Sequence, residues 1–177
     1  DHPVALEDAN YLLLHGASDR DVTNFMGMAQ YENITFSGQG DYLKSALYIA
    51  GANHGQFNSL WGAYDKSAPF SALLNTESLL DQEEQQTIAC LFIKTFLDVT
   101  LLEDDSCRTL LTDWDSYAAQ LPDTVYMQCY QQSGTTILAD FEEDSNLETA
   151  TAEGVTLQAS GTRTWTEGLI DFANDTS

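Results

Sequence analysis

The sequence predicts an α/β fold that gives way to a β-rich C-terminal stretch, and three patterns carry that expectation. Two apolar runs, Tyr11–Leu14 and Lys44–Ala50, each end at glycine-bearing polar loops, the form of strands buried in a parallel sheet. Between 81 and 102, apolar residues recur at helical spacing. From Val125 onward, short β-prone segments alternate with Gly, Ser and acidic turns. Residues 1–122 are therefore expected to form the α/β part. Residues 123–177 are expected to be β-rich, the opening of a sandwich-like module that stops short of the roughly seven strands such a module needs.

Taken in order, Tyr11–Leu14 reads as a strand whose end delivers His15 and Gly16 into the loop Ala17–Val22. Asp21–Tyr31 has the length and composition of a short crossover helix, with Asp21 placed to cap it. The next strand, Lys44–Ala50, breaks at Gly51 and brings His54 into a Gly/Asn-rich loop. Strand, crossover and strand form a βαβ-like pair, and such pairs gather chemistry at the carboxyl ends of their strands. Asp81 and Glu84 match a capping box at the start of the clearest helix, whose stripe is Ile88, Leu91, Phe92, Phe96 and Val99. A shorter helix over Cys107–Gln120 should end before Pro122. Four strand-like segments follow: Val125–Gln132, Thr135–Glu142, Gly154–Gly161 and Thr162–Gly168.

The 177 residues can bury a respectable core, but the surface they leave is strongly acidic. Twenty-eight Asp and Glu stand against 6 Lys and Arg, a formal net charge of −22. Such a surface repels phosphates, which argues against nucleic acid and anionic lipid as partners. A solvated, salt-tolerant surface explains the acidity. Calcium at Asp140–Glu148 is the competing reading, although the stretch lacks the spacing of a calcium loop. Cys90 reads as a small buried hydrophobe, and Cys107 and Cys129 could pair in an oxidising compartment. No Cys/His spacing suggests zinc, no cofactor motif appears, and no run is long enough to span a membrane.

His54 and Asp19 are the candidate catalytic residues. A histidine acting as general base needs an acid to hold its tautomer and to stabilise the imidazolium. Asp19 lies in the loop after the first strand and precedes His54 by 35 residues, enough for a loop, a helix and a strand between adjacent strand ends. Asp21 is the rival acid, set second because it can cap the following helix. Gln56, Asn58 and Trp61 either shape the site or fasten its loop. His15 reads as a packed strand-end residue, and His2 has no evident role. Trp114 and Trp165 read as core residues, with carbohydrate stacking as the alternative for Trp165.

The segments LLLHGASDRDVTNFMGMAQYENITF and ALYIAGANHGQFNSLWG together resemble the C-terminal part of the α/β-hydrolase superfamily, in its lipase/esterase-like and dienelactone-hydrolase-related branch. The resemblance covers about 10–102. It implies the last strands of a hydrolase sheet with flanking helices, Gly16-Ala17-Ser18-Asp19 as the turn that carries the acid, and His54 in G-A-N-H-G as the base. No G-x-S-x-G occurs in the sequence, so the nucleophile and oxyanion loop are expected on an upstream segment of the same hydrolase. The expected substrate is a small-molecule, lipid or polyester ester, and the expected setting is secreted or cell envelope. An unpaired sheet edge, self-association into a homo-oligomer or a partner fragment would follow from the missing strands. The alternative is a non-catalytic acidic binding or structural module built on a hydrolase-like scaffold.

Overall fold

The computed structural model describes residues 3–22, 24, 26–61, 65, 78–139, 146 and 148–164. The chain divides into two compact units, 1–134 and 135–177, and mixes helices with small sheets.

The first unit is built on a three-stranded sheet in the order β2 (Tyr11–Gly16), β4 (Leu43–Ile49), β5 (Tyr126–Gln132). Strands β2 and β4 run parallel, with Tyr11 opposite Lys44 and Gly16 opposite Ile49. Strand β5 lies antiparallel on the other side of β4, with Leu43 opposite Gln132 and Ile49 opposite Tyr126. Six of the seven residues of β4 are buried, as a central strand requires. Among the described residues, no strand pairs with the outer edge of β2. A separate two-residue parallel ladder joins β1 (Leu6–Glu7) to β3 (Ile34–Thr35).

Alternation along β4 gives the sheet two different faces. Leu43, Leu47 and Ile49 enter one apolar cluster with Ile88, Phe92 and Val99 of α2 (Gln82–Leu101) and Leu110 and Leu111 of α3 (Thr109–Thr112). Ser45, on the same face, donates its hydroxyl to Leu111 O at 3.0 Å. Toward α1 (Met26–Glu32) the face is more polar. Lys44, 5% exposed, donates through Nζ to Tyr31 O at 2.9 Å and Ile34 O at 2.6 Å, with the Tyr31 ring centroid 4.6 Å away. Burial pulls the Lys44 ammonium below its ordinary pKa, and the two carbonyls and the ring hold the charge in place. The loop before α3 is fastened by Arg108, which donates to Asp41 Oδ2 and Asp105 Oδ1, each at 2.7 Å.

The long helix follows the sequence closely. Asp81 Oδ1 accepts the Glu84 N–H at 2.8 Å and Glu84 Oε2 accepts the Asp81 N–H at 2.9 Å, so the capping box is complete. Ile88, Phe92 and Val99 are buried, and Leu91 and Phe96 pack against the same cluster.

Several expectations need correction. The helix expected over 21–31 begins only at Met26, so Asp21 lies too far ahead to cap it; the Met26 N–H is met by Asn24 Oδ1 at 3.3 Å. The helix expected over 107–120 is broken into a 3-10 turn at Asp105–Cys107, α3, and a second turn at Trp114–Tyr117. Extended backbone at Asp113 (φ −154°) makes the break, and its carboxylate accepts the Ser116 hydroxyl at 2.7 Å. The strand Tyr126–Gln132, expected to open a new module, instead completes the first sheet, because β4 has an edge to offer and Tyr126 has a core to fill. The compact unit therefore runs past residue 122 to Gly134. Cys90 is exposed rather than buried, and Cys90, Cys107 and Cys129 all carry free thiols. Cys129 alternates with Gln128 and Tyr130, whose side chains reach Leu110 O and Arg108, so it points to the face of the sheet away from Cys107.

In the second unit the described residues form turns, with no strand among them. Ala152 N–H donates to Leu138 O and Leu157 N–H to Glu148 O, each at 3.2 Å. Ile137 and Leu138 are 38% and 59% exposed, so the described part of this β-prone segment buries little apolar surface. The segments expected at Thr135–Glu142 and Thr162–Gly168 lie partly outside the described residues, as do most of Asp140–Glu148 and all of His2 and Trp165.

Candidate functional site

Parallel pairing places the carboxyl ends of β2 and β4 side by side, with Gly16 opposite Ile49, so the loops that leave them start as neighbours. They stay together through main-chain bonds: Ala17 N–H to Ile49 O at 2.9 Å and Ser18 N–H to Ala52 O at 2.8 Å. This approach requires glycine at 16, where a Cβ would lie 2.5 Å from Ala52 O.

On this seam Asp19 and His54 meet. Asp19 Oδ2 lies 3.0 Å from His54 Nδ1. The other carboxylate oxygen accepts the Asp21 N–H at 2.9 Å and the Val22 N–H at 2.7 Å, which fixes the carboxylate's orientation. Asp21, the rival acid, thus contributes an amide to Asp19. The Asp19 side chain is 9% exposed, and that burial pushes its pKa upward. Hydrogen bonds from Val22, His54 and Asp21 outweigh it and hold the carboxyl below its ordinary value. Ionised, Asp19 can only accept, so His54 Nδ1 is the donor in this contact, and in the neutral imidazole the lone pair lies on Nε2. The imidazole is 32% exposed and therefore open to a reacting partner.

The base loop is held by residues of its own sequence and by Gln85 and Asp65, which the sequence does not mark. Gln85 of α2, fully buried, pairs with the main chain of Asn53: its Oε1 accepts the Asn53 N–H at 3.0 Å and its Nε2 donates to Asn53 O at 2.6 Å. Gln56 donates to Leu80 O at 2.6 Å. Gly51, at φ +72°, makes the turn that lets Leu80 N–H reach Gly51 O at 2.9 Å. Asn58 Oδ1 accepts the Leu60 and Trp61 N–H groups at 2.9 and 3.0 Å. Trp61 stacks on the His54 ring, with centroids 5.4 Å apart and planes 16° from parallel. Gln56 and Asn58 thus fasten the loop, and Trp61 also forms one wall of the site. Asp65 accepts main-chain N–H groups from both loops: Arg20 at 2.8 Å, His54 at 3.3 Å and Gly55 at 2.8 Å.

His15 reads from the sequence as a packed strand-end residue. His15 stacks on Tyr48, its partner across the β2–β4 ladder, at 5.4 Å. Trp114 packs against Tyr126 at 4.9 Å. Among the described residues, no group of three or more His, Cys, Asp or Glu side chains is arranged to hold a metal ion. Among them, too, no helix is long and apolar enough to cross a membrane.

A scan against protein-family models finds no match, and searches of curated proteins and of solved structures find none either.

Proposed function

We propose that this chain supplies the base and the acid of a Ser-His-Asp triad in a hydrolase acting on carboxylic esters, with the serine on an upstream segment. The observation that carries the reading is the 3.0 Å approach of Asp19 Oδ2 to His54 Nδ1 at neighbouring strand ends. The carboxylate is fixed by two further N–H bonds and the imidazole is open to solvent. In this reading His54 Nε2 takes the proton of the serine hydroxyl as it attacks the ester carbonyl, then returns it to the departing alcohol. Water repeats the sequence on the acyl-enzyme. Asp19 stays ionised throughout and stabilises the imidazolium. Main-chain N–H groups of the upstream segment would receive the oxyanion. A secreted or envelope setting and a small-molecule, lipid or polyester ester as substrate belong to the same proposal.

The test is ester turnover by the polypeptide that carries the serine. His54→Ala should lower kcat by about 10⁴-fold or more while circular dichroism stays unchanged. Undiminished hydrolysis of a p-nitrophenyl ester by that variant would overturn the assignment.

A further inference from the structure

We propose that Asp65 is the positioning residue of the Asp19–His54 pair, a single carboxylate that locks the acid loop to the base loop. The inference rests on the triad reading above and adds to it a residue that neither motif nor spacing marks.

The geometry is specific. Oδ2 of Asp65 accepts the N–H of Arg20, the residue after the acid, at 2.8 Å, and the N–H of His54 itself at 3.3 Å. Oδ1 accepts the N–H of Gly55 at 2.8 Å. The last two bonds alone would make Asp65 a cap for the short 3-10 turn Gly55–Phe57, whose own N-cap residue, His54, provides no side-chain cap. The Arg20 bond has no part in capping that turn. It reaches across to the other loop.

Position along the chain gives the bond its consequence. On the strand side of the pair, the loops are already tied by Ala17 to Ile49 and Ser18 to Ala52. Asp65 ties them again on the far side, immediately after Asp19 and at His54. Asp19 and His54 are thus bracketed between two sets of bonds. The second set restrains the chain on both sides of the 3.0 Å contact, where the first restrains it on one. Displacements near 1 Å at a reacting group cost about 10²-fold in rate, so a second tie is a substantial requirement. A carboxylate suits the task, because its two oxygens offer about four lone-pair sites to three N–H donors. An amide would turn an NH₂ group toward one side and would accept the bonds on the other without the charge that strengthens them, so both sides weaken.

The test uses the chain itself, isotope-labelled, in three forms: wild type, Asp65→Asn and Asp19→Asn. Two signals are read: amide exchange at Arg20 and Gly55, and the imidazole Nδ1–H resonance of His54. Amides of Ile88 and Phe92 report the core. In wild type, the Arg20 and Gly55 amides should be protected and the Nδ1–H resonance visible. In Asp65→Asn, protection at both amides should fall at least about tenfold and the Nδ1–H signal should broaden away as it does in Asp19→Asn, with Ile88 and Phe92 unmoved. A signal that survives Asp65→Asn unchanged overturns the positioning role and leaves the triad reading standing. A wild-type signal indistinguishable from Asp19→Asn overturns both. If Asp65→Asn does not fold, the wild-type exchange rates decide: unprotected Arg20 and Gly55 amides overturn the proposal.

Discussion

The α2 side of the sheet and the loops at its carboxyl ends are held together by different physics. In the core, Leu47, Ile49, Ile88 and Phe92 are almost wholly removed from water, and their packing is non-directional. At the loops, Asp19, Asp65 and Gln85 hold main-chain amides at defined distances, and each bond has a direction. Burial decides where the strands lie. Directed bonds decide where two side chains on adjacent loops come to rest. A chain can therefore retain its fold while losing its site, and the comparison can be broken from either end.

The largest effect should come from the core. Phe92→Ala removes a fully buried ring and should cost about 3–5 kcal/mol, measured by urea unfolding. Loss of the Asp19–His54 contact should follow only as the fold itself is lost. Gly16→Ala attacks the seam between the loops, where the added Cβ meets Ala52 O at 2.5 Å. It should cost about 1–3 kcal/mol and separate Asp19 from His54 in a chain that stays folded. A folded variant with the His54 Nδ1–H signal intact would show that the seam tolerates a wider gap.

Lys44→Met tests the polar face toward α1. Methionine keeps most of the buried stem but leaves Tyr31 O and Ile34 O without their donor, so a loss of about 1 kcal/mol is expected, with the site unaffected. The smallest effect is a pH dependence. The Asp19 carboxyl is held below its ordinary value of 3.8, so its ionised form stabilises the fold above that pH, and this contribution is lost as pH falls through the lowered value. The difference in melting temperature between wild type and Asp19→Asn should be full near neutrality and shrink below about pH 4. Comparing the two forms at each pH removes the relief of self-repulsion that any chain of net charge −22 gains on acidification. A difference that is constant with pH would place the carboxylate's contribution elsewhere.

Much of this was readable in advance, and the failures have physical causes. The capping box at Asp81 and Glu84 is a local pattern closed by two bonds three residues apart, so sequence alone is sufficient for it. The meeting of Asp19 with His54 was legible because parallel strands bring their carboxyl ends together whatever else surrounds them. Cys90 was misread because α2 is apolar on more than one side. Ile93, Leu97 and Leu101 remain 46%, 43% and 71% exposed, so periodicity did not single out the packed face. Gln85 and Asp65 carried no signal, being ordinary polar residues whose partners are main-chain amides 32 and up to 45 positions away.

What the chain determined by itself was local: which runs are extended, where the long helix starts, and which residues ride on the two strand-end loops. Those outcomes follow from side-chain size, periodicity and bonds between near neighbours. Tertiary structure decided the rest: that β5 closes against β4 and ends the first unit at Gly134, that Lys44 is buried under a ring, and that Asp65 spans two loops. Each of those depends on which groups remain unsatisfied once the core has closed. That set is defined only after distant segments have met.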